Sequence, residues 1–341
     1  MQMRNTLSRL ALLVAVAVLV ATASPLLAAR QVVDQGGTTV RLPDKVGRLV
    51  CLFPQAMSAV FALGLQDVLV GFPNAKLHVE KGRPDGFYAR VAPQLLQLPD
   101  VGFPGSPNVE TIFSLHPDLV IDTDANLHPS PAMQQLRAAG IPVLAVRGGF
   151  SGIDDWLAAV RLLGEATGRG ERARFYAAFC HEKQRLLENR LANLPEGQRP
   201  RVALVSANGN EVVVRGPRTT FAFDLIRRAG GAVMPHAKDG TAGAGGEALF
   251  AFDPDVIVLD QNASSARDVS WWHDLRAVKA GRVITPPQED TNAWHTNYIL
   301  QLYHPLGLLW LAKELHPDRF RDVDLAAAKR IFDQGVLGLR R

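Results

Sequence analysis

From Asp154 to Leu194 apolar residues recur at three- and four-residue steps: Trp156, Val160 and Leu163, then Phe175, Phe179 and Leu186. The spacing predicts two helices separated by the turn Thr167-Gly168-Arg169-Gly170, the second long enough to act as a strut. On either side lies a copy of one pattern. Glu110 stands seven residues before Pro117-Asp118 and an apolar run, and Glu247 stands seven before Pro254-Asp255 and another such run. Two matched α/β halves joined by a helix describe a protein that holds a ligand in a cleft between lobes better than they describe a single catalytic domain.

Ahead of the strut, Val32-Val33 and Thr39-Val40-Arg41 flank a Gln35-Gly36-Gly37 turn and read as a hairpin. Leu49 to Leu52 reads as a buried strand. Pro54 opens a helix with Met57, Val60, Phe61 and Leu63 on its core face, Gly64 stops it, and Val68 to Val70 is the next strand. Strand, helix, strand implies a parallel sheet, with ligands collecting beyond the carboxyl ends of its strands. The long loop from Gly71 to Pro93 mixes cations with aromatics and is a candidate recognition loop. Helices near 109–115 and 131–139, with strands over 118–121 and 143–146, complete this half. Past the strut come a strand over 201–206, a hairpin through Asn208-Gly209, and a helix over 219–229 entered by Arg215 and Arg218. A strand ending at Asp260, a short helix and strand over 271–284, and an apolar helix from Pro305 to Leu315 follow. The expected fold class is α/β: two Rossmann-like lobes with central parallel sheets, residues 30–168 and 195–341, joined by a single long α-helix over 169–194, with a ligand cleft between them.

The N-terminus changes the picture of where this fold works. Arg4 and Arg9, an apolar run from Leu10 to Val20 and small residues up to Ala28-Ala29 read as a cleavable signal peptide, residues 1–29, too short in its apolar part to span a membrane. No cysteine sits at the cut, so a lipoprotein is not expected and the periplasm of a Gram-negative envelope is. Loss of the leader removes two arginines and no acid, taking the formal charge from +4 to +2. That balance, without a charge block, argues against nucleic acid as partner. Cys51 lies in a strand pattern and Cys180 in the strut; two buried thiols are expected, with a disulfide left open.

Catalysis finds little support. No Gly-x-Ser-x-Gly elbow occurs, so a periplasmic hydrolase is the weaker class. The run Gly240 to Gly246 lacks both the preceding strand and the Lys-Ser/Thr pair of a phosphate loop.

The paired Glu-to-Pro-Asp repeats, the segment Ala277 to Val283 and the segment Pro305 to Lys313 together resemble the periplasmic substrate-binding proteins of ABC importers for vitamin B12, iron-siderophores and haem, in the subgroup whose lobes are joined by one rigid helix. The resemblance covers nearly all of the mature chain. It implies a monomer without an intrinsic cofactor that carries a small-molecule metal complex to an ABC permease dimer of the inner membrane. Glu110 and Glu247 match the family's glutamates that dock, one per lobe, onto permease arginines. By position, Phe53, Tyr88, Arg147, Arg215, Trp294 and His295 are the implied ligand contacts. Direct metal ligation stays open, with His78, His295 and His304 as candidates beside His128, because imidazole suits nickel, iron and zinc. No pair of them has helical i, i+4 metal spacing. Related binders of free zinc and manganese place a histidine after the first strand, where this chain has Phe53-Pro54; that favours a chelate over a bare ion, with nickel, another transition-metal complex or an oxyanion as the alternative.

Overall fold

A computed structural model describes residues 30–73, 86–103, 106–122, 131–147, 152–208, 211–214, 220–234, 246–259, 268–288 and 300–339. The leader lies outside them. Strands β1 (Arg30–Val33) and β2 (Thr39–Leu42) pair antiparallel, as the hairpin pattern predicts. Buried Asp34 shapes the turn, its carboxylate accepting from the N–H groups of Gly36 and Thr38 at 3.0 and 2.7 Å.

The first half continues through β3 (Leu49–Cys51), α1 (Pro54–Leu63), β4 (Leu69–Gly71), α2 (Phe87–Val91), the small antiparallel pair β5 (Gly102–Phe103) and β6 (Ser106–Pro107), α3 (Val109–Ser114), β7 (Leu119–Asp122), α4 (Pro131–Ala138) and β8 (Val143–Ala145). Strands β4-β3-β7-β8 form a wholly parallel sheet in that order. β3, β7 and β8 are buried throughout, the condition of a sheet covered on both faces. Helix α1 has Pro at its first turn and stops at Gly64, whose φ of 63° is the left-handed turn that a side chain would resist. A Cβ there would also come within 2.8 Å of the Arg172 guanidinium.

Helix α5 (Ile153–Ala166) closes this half, and α6 (Gly170–Leu191) is the strut. The second half runs β9 (Arg201–Asn208), β10 (Glu211–Val214), α7 (Thr220–Arg228), β11 (Ala232–Val233), α8 (Gly246–Phe252), β12 (Val256–Leu259), α9 (Arg276–Lys279), β13 (Val283–Ile284), α10 (His304–Leu315) and α11 (Leu325–Gly335). One edge of β9 is shared end to end by β11, parallel, and β10, antiparallel; its other edge pairs with β12, and β12 with β13. Five elements go beyond the sequence reading: α2 inside the expected long loop, the paired strands β5 and β6, the short strand β11, and α11. The last is started by Asp324, whose carboxylate accepts from the Ala327 N–H at 2.9 Å, and is held by buried Ala328 and Phe332.

The strut is amphipathic, with one face in the core and the other open to solvent. Its buried stripe, Ala173, Tyr176, Phe179, Cys180, Leu187 and Leu191, packs against α1 and α5 of one half and α10 of the other. A single apolar cluster therefore runs from Leu49 and Phe61 through Tyr176 to Phe221 and Leu308. Polar ties reinforce it. The Tyr176 hydroxyl accepts from Trp156 Nε1 at 3.3 Å and donates towards the carbonyls of Gln301 and Leu302 at 2.8 and 3.0 Å. Across the halves, Asp224 of α7 accepts from the Ile153 N–H at 2.9 Å, capping α5, which has no side-chain cap of its own. Arg228 joins both partners, Asp224 at 3.1 Å and Asp154 at 2.7 Å. Hinge bending would have to break this shared core. Small-angle scattering of the protein with and without ligand is therefore expected to superimpose; a marked compaction of the particle on loading would contradict the rigid arrangement.

Candidate functional site

Ligands of parallel α/β sheets sit beyond the carboxyl ends of the strands, and the described residues there are the frame of the candidate cleft. Phe53 follows β3 in extended conformation (φ −126°, ψ 133°), half-buried against the large core cluster. The Cys51 thiol donates to the Phe53 carbonyl at 3.5 Å. At the exit of β8, Gln35 accepts from the Arg147 N–H at 2.5 Å, while the Gln35 N–H donates to Ala145 O at 3.1 Å. The hairpin turn thus fixes the backbone from which exposed Arg147 projects. His78, His128, Arg215, Trp294 and His295 lie outside the described residues.

Two expectations are corrected. Tyr88 sits on α2, 5% exposed, its ring packed on Phe61 at 6.1 Å and Phe87 at 5.7 Å. Its adjacent partner Phe87 is also buried against Phe61, so this segment of the long loop is core and not a recognition surface. His304 is wholly buried, its Nδ1 donating to the Gln301 carbonyl at 2.8 Å and its ring edge-on to Tyr176 and Phe221. Burial holds its pKa down to about 4, aided by Arg228 and opposed by the Gln301 carbonyl and Asp224. It is a neutral core histidine. Both cysteines are free and buried; burial pushes the Cys51 thiol up to about 12 and Cys180 higher, so neither is a reactive thiolate. A cavity of about 560 Å³ opens between α2 and α11, lined by Arg90, Lys329, Arg330 and Asp333, and none of the described candidates borders it.

The clearest constellation is the one that holds the two glutamates. In the first half, Asp118 accepts from the N–H groups of Gly47 and Arg48, each at 2.8 Å, and the Arg48 guanidinium donates to Leu115 O at 2.7 and 2.9 Å, closing the end of α3. In the second half, Asp255 accepts from the Arg201 N–H at 2.7 Å, and Arg201 donates to Phe252 O at 2.9 Å, closing the end of α8. Each helix leaves through a non-glycine residue in the left-handed region, His116 at φ 43° and Asp253 at φ 45°, directly before the proline. Arg276 adds a third arm to the second latch, on Asp253 at 3.1 Å and Asp255 at 2.6 Å. Hydrogen bonding from Arg276 first, then Arg201, holds the Asp253 carboxyl below its usual range. Burial of Asp255 opposes ionisation, but Arg201 and Arg276 outweigh it and keep that carboxyl low as well.

These latches were missed in the sequence, where Arg48 and Arg201 look like ordinary surface charges. The available signal was an arginine at the start of the first strand of each half's main sheet, Arg48 directly before β3 and Arg201 opening β9. Because each arginine stands at the amino end of its strand and grips the C-terminal end of the helix, Glu110 and Glu247 are turned towards the carboxyl-end side. Both are exposed, in the first turns of α3 and α8, and no ion pair joins either to another described residue.

A family model described as periplasmic binding protein matches residues 49–289. The chain belongs to this family. Among relatives, the molybdate-binding protein MolA of Haemophilus influenzae is 27% identical, with 88% of each chain covered. The Fe(3+)-citrate-binding protein YfmC of Bacillus subtilis is 23% identical over 76% of this chain and 78% of its own. The structure of molybdate-bound MolA superimposes with a TM-score of 0.76 at 23% identity, covering 92% of this chain and 99% of that one. The two-lobe α/β architecture of this binding protein is therefore shared with solved relatives. Among its described residues no helix is long and apolar enough to cross a membrane, and no three His, Cys, Asp or Glu side chains are grouped to hold a metal.

Proposed function

We propose that this periplasmic binding protein is released as a soluble monomer by cleavage after residue 29, captures a metal chelate of the iron-siderophore, haem or cobalamin class between lobes 30–168 and 195–341, and delivers it to an ABC permease dimer of the inner membrane. It performs no catalysis and needs no cofactor. The observation that carries the reading is the matched pair of exposed glutamates, one per half, each held by the same arginine–aspartate latch, which suits a two-fold partner. Ligand contacts in this reading are Phe53, Arg147, Arg215, Trp294 and His295, with His78 and His295 kept as possible metal ligands.

A second reading, an oxyanion cargo, is favoured by the molybdate-binding relative and by the two arginines of the contact set. Calorimetric titration with ferric citrate, haemin, cobalamin and molybdate separates the two. Binding of one of the chelates is expected; heat from molybdate alone would establish the second reading, and silence from all four would count against both. Aromatic capture gives a further check. Trp294→Ala is expected to weaken chelate binding by about one to two powers of ten, the loss of a stacked ring face, with the fold intact by circular dichroism. Unchanged affinity would remove Trp294 from the site.

A further inference from the structure

The repeat carries more than a glutamate. Phe113 follows Glu110 by three residues and Phe250 follows Glu247 by three, so each phenylalanine lies one helical turn from its carboxylate on the same side. The two rings have different surroundings. Phe113 is half-buried against the apolar cluster of Val50, Ile112 and Val120. Phe250 is 43% exposed, and its ring meets Trp271 at 5.8 Å and 59°. Trp271 lies directly on the start of α8: a Cβ on Gly246 would come within 2.8 Å of its six-membered ring, so the approach depends on glycine. Behind it, Trp272 is 2% exposed and contacts Trp271 at 6.4 Å, anchoring the pair. Glu247 therefore stands in sequence between the glycine that seats one ring and the phenylalanine that extends the shelf.

We propose that Glu247, Phe250 and Trp271 form a clamp for one arginine side chain of the permease, the carboxylate pairing with the guanidinium while the ring faces stack on it, and that this lobe supplies the larger share of docking affinity. The inference rests on the docking reading given above. A guanidinium fits both demands, being planar, permanently charged and able to stack while it pairs; a lysine ammonium would be held by the carboxylate alone. The first half offers the carboxylate with its phenylalanine half-buried against the cluster of Val50 and Val120 instead of stacked on an indole, which is why the contribution is unequal. Exposed aromatic rings beside a charged partner are also where interface energy concentrates.

The test is binding of the purified protein to its cognate permease–ATPase complex in lipid nanodiscs, followed by interferometry. Phe250→Ala is expected to weaken docking about tenfold, and Phe250→Leu, which keeps apolar bulk without a ring face, nearly as much, while Phe113→Ala changes it less than threefold. Phe250 is exposed, so these variants fold; Trp271→Ala is added with its fold checked by circular dichroism. Combining Phe250→Ala with Glu247→Gln should cost less than the product of the single effects, since both hold the same group. If Glu247→Lys loses docking while Phe250→Ala and Trp271→Ala bind as wild type, the clamp is wrong and the docking reading stands. If Glu247→Lys itself binds as wild type, the docking reading fails and the clamp with it. Fully independent effects of Phe250→Ala and Glu247→Gln would also overturn the clamp, since the rings would then act on another group.

Discussion

Reversing both charges, Glu110→Lys with Glu247→Lys, is expected to abolish uptake and stimulation of the transporter ATPase while the isolated protein keeps its ligand affinity. Each carboxylate is exposed, and each is presented by a short helix whose far end is closed by an arginine at the start of the first strand of its half's main sheet. A charge-assisted pair with arginine contributes about 1.5 to 3 kcal/mol where it is shielded from salt. Losing two such pairs removes roughly two to four powers of ten in docking, before counting the repulsion of two lysines facing guanidinium groups. Single reversals are expected to give partial defects, larger at Glu247. Normal transport by the double variant would show that both glutamates merely favour their helix starts. Loss of ligand in solution would place them in the binding site instead.

How far these features could be seen in the sequence varied with the range of the interactions behind them. The strut was legible as a helix because Phe175, Phe179 and Leu186 keep helical spacing, although of these only Phe179 belongs to its buried stripe and Phe175 is 47% exposed, and the glutamates were legible because the repeat stands in the chain twice. The latches were not. Arg48 reaches a carbonyl 67 residues away and Arg201 one 51 away, and nothing next to either arginine distinguishes it from a solvated surface charge. Tyr88 was misread for a related reason: an aromatic amid Lys, Arg and Gly resembles a recognition loop until Phe61, a residue of another helix, is seen to pack against it. Asp224 gave no signal at all, since its partner is a backbone N–H on the far side of the strut. Residues 289–299, which carry Trp294 and His295, remain where the sequence reading left them.

His304 was a metal candidate because it opens a core helix just after a stretch rich in Trp, His and Tyr; its burial assigns it a different and measurable consequence. The unfolded imidazole titrates near 6.5 and the folded one near 4. The folded state therefore resists protonation, and stability should be full above about pH 6.5 and fall steadily towards pH 4, as the unfolded chain takes up the proton that the core refuses. At 1.36 kcal/mol per pKa unit the loss approaches about 3 kcal/mol over that window. His316, buried and also shifted down by that burial, adds to the slope in the same direction. The carboxylates held low, Asp253 and Asp255 in the latch and Asp322 hydrogen-bonded by Arg190, lose their pairing only at more acid pH and do not mask it. Urea unfolding at pH 7.5, 6.0 and 5.0 is expected to show midpoints falling with pH, and His304→Leu a shallower fall from a lower starting stability. A level profile in the wild type, or an imidazole resonance titrating near 6.5 in the folded protein, would mean that His304 is solvated. Nickel or zinc added to the folded protein should leave that resonance unmoved, because Nδ1 is committed to the Gln301 carbonyl and the whole ring, Nε2 included, is buried against Tyr176 and Phe221; a metal-induced shift would return His304 to the ligand set.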